Sequence, residues 1–277
     1  MTIFNRCASI YVSYHSEKYI DCFLCRHRQE LGETVLIVNS TPEKYAGDLS
    51  GVKCLEARKN VGFAVANNLG IVGLSGGPHD FIIFINPDVV MPQGWLDSFS
   101  KICDLPEYRD VGVFTGPLLG YSFARDEPTG LIDSLGIWRT SYGKWFDKQQ
   151  GQPITAPDSV VTEPQEVPAV CGALMVVRKK VIEELVSEYG FFFDESYFMY
   201  KEDIEVSLRI RRKGWRTLLH PSLVAYHCRG WDPNRGAMPK WTRSISSRNE
   251  LMMHLRHQWR GVPYSLLKYL YVKLMEK

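Results

Sequence analysis

Residues 80–90 read DFIIFINPDVV and form the most apolar stretch of the chain. A short continuous apolar run that stops at a proline, here Pro87, is typical of a β-strand buried on both faces. Two further runs, ASIYVSYHS and ETVLIVNST, come earlier in the chain, and segments with helical character separate them. Continuous apolar strands that alternate with helices predict an α/β fold with a mostly parallel central sheet and helices on both faces.

The composition agrees with such a domain and excludes several other classes. The chain has 277 residues, of which 45% are hydrophobic and 23% charged, as in an ordinary globular protein with a large core. A net charge of +2 gives no concentrated basic face, so we expect no nucleic-acid partner. Seven cysteines, an odd number spread along the chain, favour a reducing compartment over a disulfide framework.

No signal-peptide pattern opens the sequence, and no stretch reaches the roughly 18 uncharged apolar residues of a membrane span. We therefore expect a cytoplasmic protein, either free or peripheral on the cytoplasmic face of the membrane. Cys22 and Cys25 form a CxxC pair, but no second pair exists to complete a four-ligand zinc site. They fit better as small apolar residues on the buried side of the first helix.

Polar or aromatic side chains follow the predicted strands or lie in the loops that the strands lead into. They are Ser13, Tyr14, Asn39, Asn60, Asn86 and Asp88. Ligands of parallel sheets bind at the carboxyl ends of the strands, so we expect these groups to converge on one edge. An aspartate directly after a buried strand suits a hard divalent cation, although Asn-Pro-Asp is also an ordinary turn sequence.

The segment KNVGFAVANNLG places Gly62 and Asn67 at a junction between a loop and a helix. A glycine there suits a backbone that approaches a nucleotide closely, with anionic groups near exposed N–H donors. The segment matches neither a Walker A loop nor G-x-G-x-x-G, which argues against P-loop hydrolases and dinucleotide-dependent dehydrogenases.

Two neighbouring carboxylates, Glu202 and Asp203, stand in FMYKEDIEVSLRIRRKGW. The charge order of this stretch predicts a helix that begins near Glu202 and is stopped by Gly214, with acids in its first turn and bases in its last. The pair therefore has two interpretations. It stabilises the positive end of the helix, or it performs chemistry.

Aromatic residues crowd the segment just before this acid pair. They are Phe191, Phe192, Phe193, Tyr197, Phe198 and Tyr200. Some of them would line a sugar-binding groove, and at least half are expected to belong to the core. The middle of the chain, roughly 104–165, is rich in turn signals and predicts insertions with hairpins such as IWRTSYGKW.

Several motifs taken together resemble one family, the inverting glycosyltransferases of family 2 with the GT-A fold, and within it the rhamnosyltransferase-like branch. The motifs are NVGFAVANN, FINPDV, DSLGIWRTSYGKWFD, CGALMVVR, FFFDESYFMYKEDIEVSLRIRRKGW, PSLVAYHCRG and SRNELMMH. They occur in the family's order and cover about residues 8–260. Their combination is specific, although no single motif is.

The resemblance implies a role for each part of the site. Asp88 would coordinate a Mg²⁺ or Mn²⁺ ion that neutralises the diphosphate of a nucleotide-sugar, and Asn86 replaces the first acid of the family's D-x-D. His227 matches a position that helps hold the metal or the diphosphate in many relatives, the alternative being a buried strand histidine. Asp203 matches the catalytic base, and Glu202 would support or orient it.

The nucleotide-contacting region of the family matches a set of residues near the N-terminus. These are Ser13, Tyr14, Asn39, Asn60, Gly62 and Asn67. The second strand commonly ends in an aspartate that reads the base, whereas this chain has Asn39. An amide both donates and accepts hydrogen bonds, so the preferred nucleobase stays open.

The expected function is metal-dependent, inverting transfer of a sugar to a glycan or polyprenyl-linked glycan acceptor in cell-surface polysaccharide biosynthesis. L-rhamnose from dTDP-rhamnose is the expected donor, and a UDP-hexose or UDP-galactofuranose is the alternative within the same class. A sugar nucleotidyltransferase should carry a glycine-rich phosphate loop with Arg and Lys where this chain has VSYHSEKYI. An inactive glycan-binding relative would not need both Asp88 and the Glu202–Asp203 pair.

The expected domain is a glycosyltransferase unit over residues 1–245, with a nucleotide-sugar-binding part at about 1–103 and an acceptor-binding, catalytic part at about 104–245. An amphipathic, basic helical extension over 246–277 follows. Its basic residues Arg248, Arg256, Arg260, Lys268, Lys273 and Lys277 interleave with Leu251, Leu255, Trp259, Leu266, Leu267 and Leu270. Such a helix either lies on an anionic membrane surface or docks on protein, including a partner subunit.

Overall fold

A computed structural model describes residues 2–24, 27, 30–39, 49–57, 59–74, 76–155, 160–228 and 239–275. The strands within these ranges are β1 Cys7–Ser13, β2 Glu33–Val38, β3 Val52–Glu56, β4 Phe81–Ile85, β5 Val89–Val90, β6 Val111–Thr115, β7 Leu118–Ser122, β8 Glu127–Ser134, β9 Ile137–Arg139, β10 Trp145–Asp147, β11 Gln165–Glu166, β12 Leu174–Arg178, β13 Arg216–Leu219 and β14 Ala225–His227. The α-helices are α1 Ile3–Arg6, α2 Glu17–Tyr19, α3 Phe63–Gly73, α4 Trp95–Ser100, α5 Lys179–Tyr189, α6 Glu202–Arg212, α7 Lys240–His257 and α8 Val262–Leu274. A π-helical turn, Ile20–Leu24, directly continues α2.

An eight-stranded sheet forms the centre of the molecule, in the order β11-β13-β6-β12-β4-β1-β2-β3. Strands β3, β2, β1 and β4 run parallel, as their apolar runs predict. Strand β12 lies antiparallel between β4 and β6. The predicted nucleotide-binding and acceptor-binding parts of the chain therefore share one sheet.

Apolar side chains cover both faces of this sheet. Phe81, Ile83 and Ile85 of β4 point into one core cluster, and Ile82 and Phe84 point into the other. Successive side chains of a strand alternate between faces, so a strand that is apolar at every position needs cover on both. This alternation confirms the predicted α/β class with helices on both sides of the sheet.

A smaller sheet, β5-β14-β7-β8, begins where the chain leaves β4. Strand β14 runs antiparallel to β5, which pairs His227 with Val89. The predicted hairpin in IWRTSYGKW is present as the antiparallel pair β9 and β10. These short strands turn the middle of the chain back over the carboxyl edge of the main sheet.

Helix α6 begins at Glu202, as its charge order predicts, and Gly214 follows it with a φ of +89°. An ion pair is buried inside the helix one turn further on. Arg209 donates from Nε and Nη2 to the two carboxylate oxygens of Glu205, both at 2.8 Å, and Nη2 also donates to the Phe192 carbonyl at 2.6 Å. This network fixes α6 against the segment that precedes it.

The last two helices pack on each other, and α7 enters the main core through Met253. The expected boundary between residues 245 and 246 lies inside α7, which is continuous from Lys240 to His257. Among the described residues, no helix combines the length and apolarity that crossing a bilayer requires. Cys22 is half-buried in the π-helical turn, and Cys25 lies outside the described residues.

Arg209→Met tests the buried ion pair. The substitution leaves the Glu205 carboxylate without its bidentate partner. We therefore expect the free energy of unfolding to fall by about 3–5 kcal/mol. Lys101→Met, an exposed change outside this network, should alter the free energy of unfolding by less than about 0.5 kcal/mol. Urea denaturation measures both, and equal losses in the two variants would contradict the assignment.

Candidate active site

Two pockets open at the carboxyl edge of the main sheet. The smaller has a cavity volume of about 340 Å³ and lies among the loops after β1, β2 and β4. The larger, of about 530 Å³, is lined by the β9–β10 hairpin, residues 171–173 and the start of α6. Phe63, Asn86 and Met199 line both pockets. The two cavities therefore adjoin, with Asp88 in the smaller and Asp203 in the larger.

Most of the residues predicted to contact a nucleotide line the smaller pocket. They are Tyr14, Asn39, Asn60, Gly62, Asn86 and Asp88. Ser13 and Asn67 line neither pocket. The Ser13 hydroxyl lies 2.8 Å from that of Ser16, and the Asn67 amide donates to the Phe63 carbonyl within α3. Both side chains organise the elements behind the pocket.

The buried amide of Asn39 ties the loop after β2 to the loop before α3. Its Nδ2 donates to Asn60 Oδ1 at 3.1 Å and to the Gly62 carbonyl at 3.3 Å, and its Oδ1 accepts from Val61 N–H at 2.8 Å. Both N–H donors of this amide are engaged inside the protein. Asn39 thus shapes the pocket wall through contacts that a carboxylate, which cannot donate, could not make.

Position 62 needs a residue without a Cβ, because two segments of the chain lie in close contact there. The φ of Gly62 is +86°, and a Cβ there would lie 2.4 Å from the carbonyl oxygen of Phe198. The next residue, Phe63, donates its N–H to that same carbonyl at 2.7 Å. This glycine therefore allows a close approach to the segment that precedes α6, and its predicted contact with a nucleotide stays a prediction.

His227 lies between two carboxylates. Its Nε2 is 3.2 Å from Asp88 Oδ1, and its Nδ1 is 2.8 Å from Asp133 Oδ2. The ring is buried, which opposes its charged form, but the carboxylates of Asp88 and Asp133 raise the pKa of His227 to about 9. Asp133 is the next-to-last residue of β8, and its contact with Nδ1 orients the His227 ring.

Asp88 and His227 fit one divalent cation. The 3.2 Å between Asp88 Oδ1 and His227 Nε2 is the distance of an ion pair, since the raised pKa of His227 keeps a proton on the ring. A bound cation would take the place of that proton, with the carboxylate and the neutral imidazole as its ligands. A carboxylate that accepts from the second ring nitrogen, as Asp133 does here, commonly supports a histidine ligand. Within the described ranges, no group of three or more His, Cys, Asp or Glu side chains forms a preformed metal cage. These two ligands would leave the other coordination positions to substrate phosphates and water.

The acid pair is asymmetric. Asp203 Oδ2 accepts from Gly172 N–H at 3.1 Å and Oδ1 accepts from Ile204 N–H at 2.8 Å, whereas Glu202 is 7% exposed and its Oε2 has no hydrogen-bond partner. Burial raises the pKa of both carboxyls, and the neighbouring Asp203 charge raises that of Glu202 further. Two backbone donors, Gly172 N–H and Ile204 N–H, stabilise the charged form of Asp203, whereas Glu202 has its own backbone N–H. The pKa of Glu202 is raised to about 8, which favours its protonated form at neutral pH.

The segment Phe198–Lys201 separates and lines the two pockets. Tyr200 and Lys201 have φ values of 69° and 73°, so two consecutive non-glycine residues are left-handed directly before Glu202. Such conformations cost about 1–2 kcal/mol per residue. The fully buried Asn249 on α7 donates from Nδ2 to the carbonyls of Met199 and Tyr200, at 2.9 and 3.0 Å. Asn249 thereby stabilises the turn that aims the acid pair into the larger pocket.

The aromatic segment before the acid pair divides between core and site. Phe192, Phe193 and Tyr197 are fully buried, and Phe192 stacks on Phe84 of β4. Phe198 and Tyr200 line the smaller and the larger pocket respectively.

Sequence reasoning gave no role to three residues that belong to the site. Asp133 begins the motif DSLGIWRTSYGKWFD, and Asn249 lies in SRNELMMH. Both motifs were recognised, but neither indicated which of its residues belongs to the site. Trp241, which is 55% exposed and lines the smaller pocket as Tyr14 does, lay in no recognised motif.

The fold is similar to those of two solved structures. A structure of GalNAc-T7 with UDP, GalNAc and Mn²⁺ superposes with a TM-score of 0.62 at 17% identity, over 90% of this chain and 47% of that one. The structure of S. aureus TarS 1-349 superposes with a TM-score of 0.51 at 14% identity, over 98% of this chain and 72% of that one. Both are GT-A glycosyltransferases, which confirms the predicted GT-A fold.

Sequence comparison identifies named relatives. The chain is 27% identical over 205 residues to N-acetylglucosaminyl-diphospho-decaprenol L-rhamnosyltransferase of Mycobacterium tuberculosis, a match that spans 68% of this chain and 62% of the relative. It is also 27% identical over 177 residues to rhamnosyltransferase WbbL of Escherichia coli K12, spanning 60% of each chain. No protein-family model matches the chain.

These comparisons confirm the resemblance to rhamnosyltransferase-like glycosyltransferases, and the relatives' names agree with a transferase enzyme. The chain spans about three fifths of the length of each of these two relatives.

Asn249→Leu tests the support of the turn before α6. It preserves side-chain volume but removes both donors, worth about 1 kcal/mol each, so amides in residues 198–204 should exchange roughly thirtyfold faster. Arg248→Ala changes an exposed neighbour in α7 and should leave the exchange rates unchanged. Hydrogen exchange with mass spectrometry measures both. Unchanged protection in Asn249→Leu would show that other contacts hold the turn.

Proposed function

We propose that this protein is an inverting, divalent-metal-dependent glycosyltransferase that moves L-rhamnose from dTDP-rhamnose to a glycan or polyprenyl-linked glycan acceptor in cell-surface polysaccharide biosynthesis. The observation that carries the proposal is the pair of adjoining pockets, one with the Asp88–His227 pair and the other with Asp203. The similarity to two rhamnosyltransferases supports the choice of donor sugar.

The donor belongs in the smaller pocket. Tyr14 and Trp241 present exposed aromatic faces there, which suit a nucleobase or ribose. Asp88 and His227 would hold Mg²⁺ or Mn²⁺ beside the diphosphate, and the bound metal would stabilise the negative charge of the departing nucleoside diphosphate. Asn86 and Met199 line both pockets, so the sugar would extend from the smaller into the larger one.

The acceptor belongs in the larger pocket, beside Asp203. In the proposed step, the acceptor hydroxyl oxygen bonds to the anomeric carbon, its proton passes to Asp203, and the bond from the anomeric carbon to the diphosphate breaks with its electron pair on the diphosphate. Each Asp203 oxygen accepts one backbone N–H and retains a further lone pair for that proton. Burial makes this carboxylate a stronger base than an exposed aspartate. Attack opposite the leaving group inverts the anomeric configuration.

Glu202 has a positioning role in this scheme. With the pair's proton on Glu202, a single negative charge remains on Asp203, which faces the acceptor. The nearby Asp147 carboxylate at the end of β10 adds to the rise in the pKa of Asp203.

Asp203→Asn and Glu202→Gln separate these two roles. Asparagine cannot take the proton, so transfer should fall by roughly 10²–10⁴-fold while dTDP-rhamnose affinity is retained. Glutamine resembles the protonated glutamic acid, so Glu202→Gln should keep transfer within about tenfold of wild type. Release of nucleoside diphosphate across dTDP- and UDP-sugars, with product detection by mass spectrometry, measures both. Transfer at the wild-type rate by Asp203→Asn would exclude the proposed base.

Asp88→Ala and Asp133→Asn test the metal site by calorimetry with and without Mn²⁺. Asp88→Ala removes a ligand and should abolish metal-dependent binding of dTDP-rhamnose. Asp133→Asn removes the charge that orients His227 and should weaken metal-dependent binding by roughly 10–100-fold. Asp97→Ala, an exposed change on α4, is the control and should bind as wild type. Metal-dependent binding that survives Asp88→Ala would place the cation elsewhere.

A further inference from the structure

Helix α8 turns its apolar side away from the protein. Ser265 and Val272 are its buried residues. The exposed large apolar side chains on the helix are Leu266, Leu267, Leu270, Tyr271 and Leu274. At 3.6 residues per turn these five occupy one arc of roughly 140°, away from the buried side. Leu267 is 69% exposed and Leu274 is 72% exposed. A helix that docks on protein through its apolar face would bury such leucines.

Basic residues outnumber acids in this part of the sequence, where Glu276, which lies outside the described residues, is the next acid after Glu250. Residues 251–275 contain no Asp or Glu, but include Arg256, Arg260, Lys268 and Lys273. Arg256 and Lys268 pair with acids of the protein, whereas exposed Arg260 and Lys273 each lie 5.6 Å from an aromatic ring, Trp259 and Tyr269 respectively. Lys277 lies outside the described residues. Exposed leucines and aromatics with neighbouring cations and no acids match the chemistry of an anionic lipid interface.

We propose that the exposed apolar side of α8, formed by Leu266, Leu267, Leu270, Tyr271 and Leu274, binds an anionic lipid bilayer together with Lys273 and with Arg260 in the turn before the helix. The apolar side chains enter the interface between headgroups and acyl chains, and the two cations contact the phosphates. This mode of attachment requires no membrane-spanning segment.

A second copy of this chain is the competing occupant, and the charge pattern argues against it. In a twofold dimer the same patch contacts itself, so the cations bordering it would meet other cations. Residues 251–275 provide no acid to compensate them. An anionic bilayer supplies the missing negative charge.

The proposed lipid-binding surface continues into the larger pocket through the β9–β10 hairpin. Tyr142 at the hairpin tip packs edge-to-face on Tyr264 of α8, with 5.3 Å between ring centroids. A Cβ on Gly143 would lie 2.7 Å from Gly261 Cα, so the turn and the start of α8 are in direct contact. Residues 144–147 of the same hairpin line the larger pocket. The bilayer would therefore present the glycan of a lipid-linked acceptor to the pocket, a step that rests on the proposed transferase function.

Vesicle flotation tests the lipid-binding surface without any assay of transfer. Wild-type protein should bind vesicles of phosphatidylcholine mixed with phosphatidylglycerol far better than phosphatidylcholine alone. Leu267→Glu combined with Leu274→Glu should lower the partition coefficient by at least roughly a hundredfold. Arg260→Gln combined with Lys273→Gln should lower it by roughly thirtyfold, at about 1 kcal/mol per cation, and added salt should reduce the difference.

Val72→Glu is the matched control, since Val72 is 68% exposed on α3 and distant in sequence from α8. It should leave vesicle binding unchanged. Two results would overturn the proposal. One is vesicle binding that ignores lipid charge or survives the Leu267 and Leu274 substitutions. The other is a wild-type dimer, detected by light scattering, that the same two substitutions convert to monomer.

Calorimetry with dTDP-rhamnose on the same proteins separates the two proposals. Donor binding that is absent while anionic vesicles bind would remove the transferase function and leave the lipid surface. Vesicle binding that is absent while donor binds would do the reverse.

Discussion

The antiparallel pairing of β12 with β4 determines the geometry of the whole site. It brings Leu174, the first residue of β12, opposite Ile85, the last residue of β4. The residues that precede β12 and those that follow β4 therefore meet at the carboxyl edge of the sheet. There the N–H of Asn86 donates to the Ala173 carbonyl at 2.9 Å, and the N–H of Gly172 donates to Asp203 Oδ2. A Cβ on Gly172 would lie 3.2 Å from the Asp203 Cβ, so a small residue is needed at this approach. Backbone hydrogen bonds thus connect the Asn86–Asp88 turn to an acid 115 positions later in the chain.

Around this connection, the protein gives each carboxylate a different environment. Asp88 faces an imidazole whose other nitrogen contacts Asp133. Asp203 receives two backbone N–H groups, and buried Glu202 Oε2 receives none. Because burial penalises charge and backbone donors stabilise it, the three carboxyls at this sheet edge differ in how readily each holds a negative charge, and the pKa of Glu202 is raised to about 8. The strained turn at Tyr200 and Lys201 is part of this arrangement, since it points the last two acids into the larger pocket.

The sequence was sufficient to predict the features that depend on local pattern. The buried strands, the hairpin in IWRTSYGKW, and the start of α6 at Glu202 all follow from hydrophobic period, turn residues and charge order. The position of Asp88 directly after an apolar strand also predicted its place at the carboxyl edge of the sheet, whereas Asp203 was predicted only as the start of a helix and, from the resemblance, as a base. Whether two such residues meet depends on strand order, and β12 inserts between β4 and β6 against the parallel trend, which no local pattern encodes.

Individual roles within the site were harder to predict, for a physical reason. Asn39 and Gly62 were predicted to contact a nucleotide, which stays a prediction, but the sequence did not show that the Asn39 donors and the space beside Gly62 also serve contacts within the chain. Asn249 and Asp133 act on the site through long-range hydrogen bonds, which depend on the packing of distant elements. The exposed side of α8 was visible in sequence as an amphipathic, basic pattern, but which side faces outward required the packing of α8 on α7.

Whether the two pockets form one donor-to-acceptor cleft can be decided by a crystal structure with dTDP and Mn²⁺. We expect an anomalous manganese peak beside Asp88 and His227, thymidine in the smaller pocket, and the terminal phosphate directed past Asn86 toward Asp203. A nucleotide bound outside the smaller pocket, or a terminal phosphate directed away from Asp203, would contradict a single cleft.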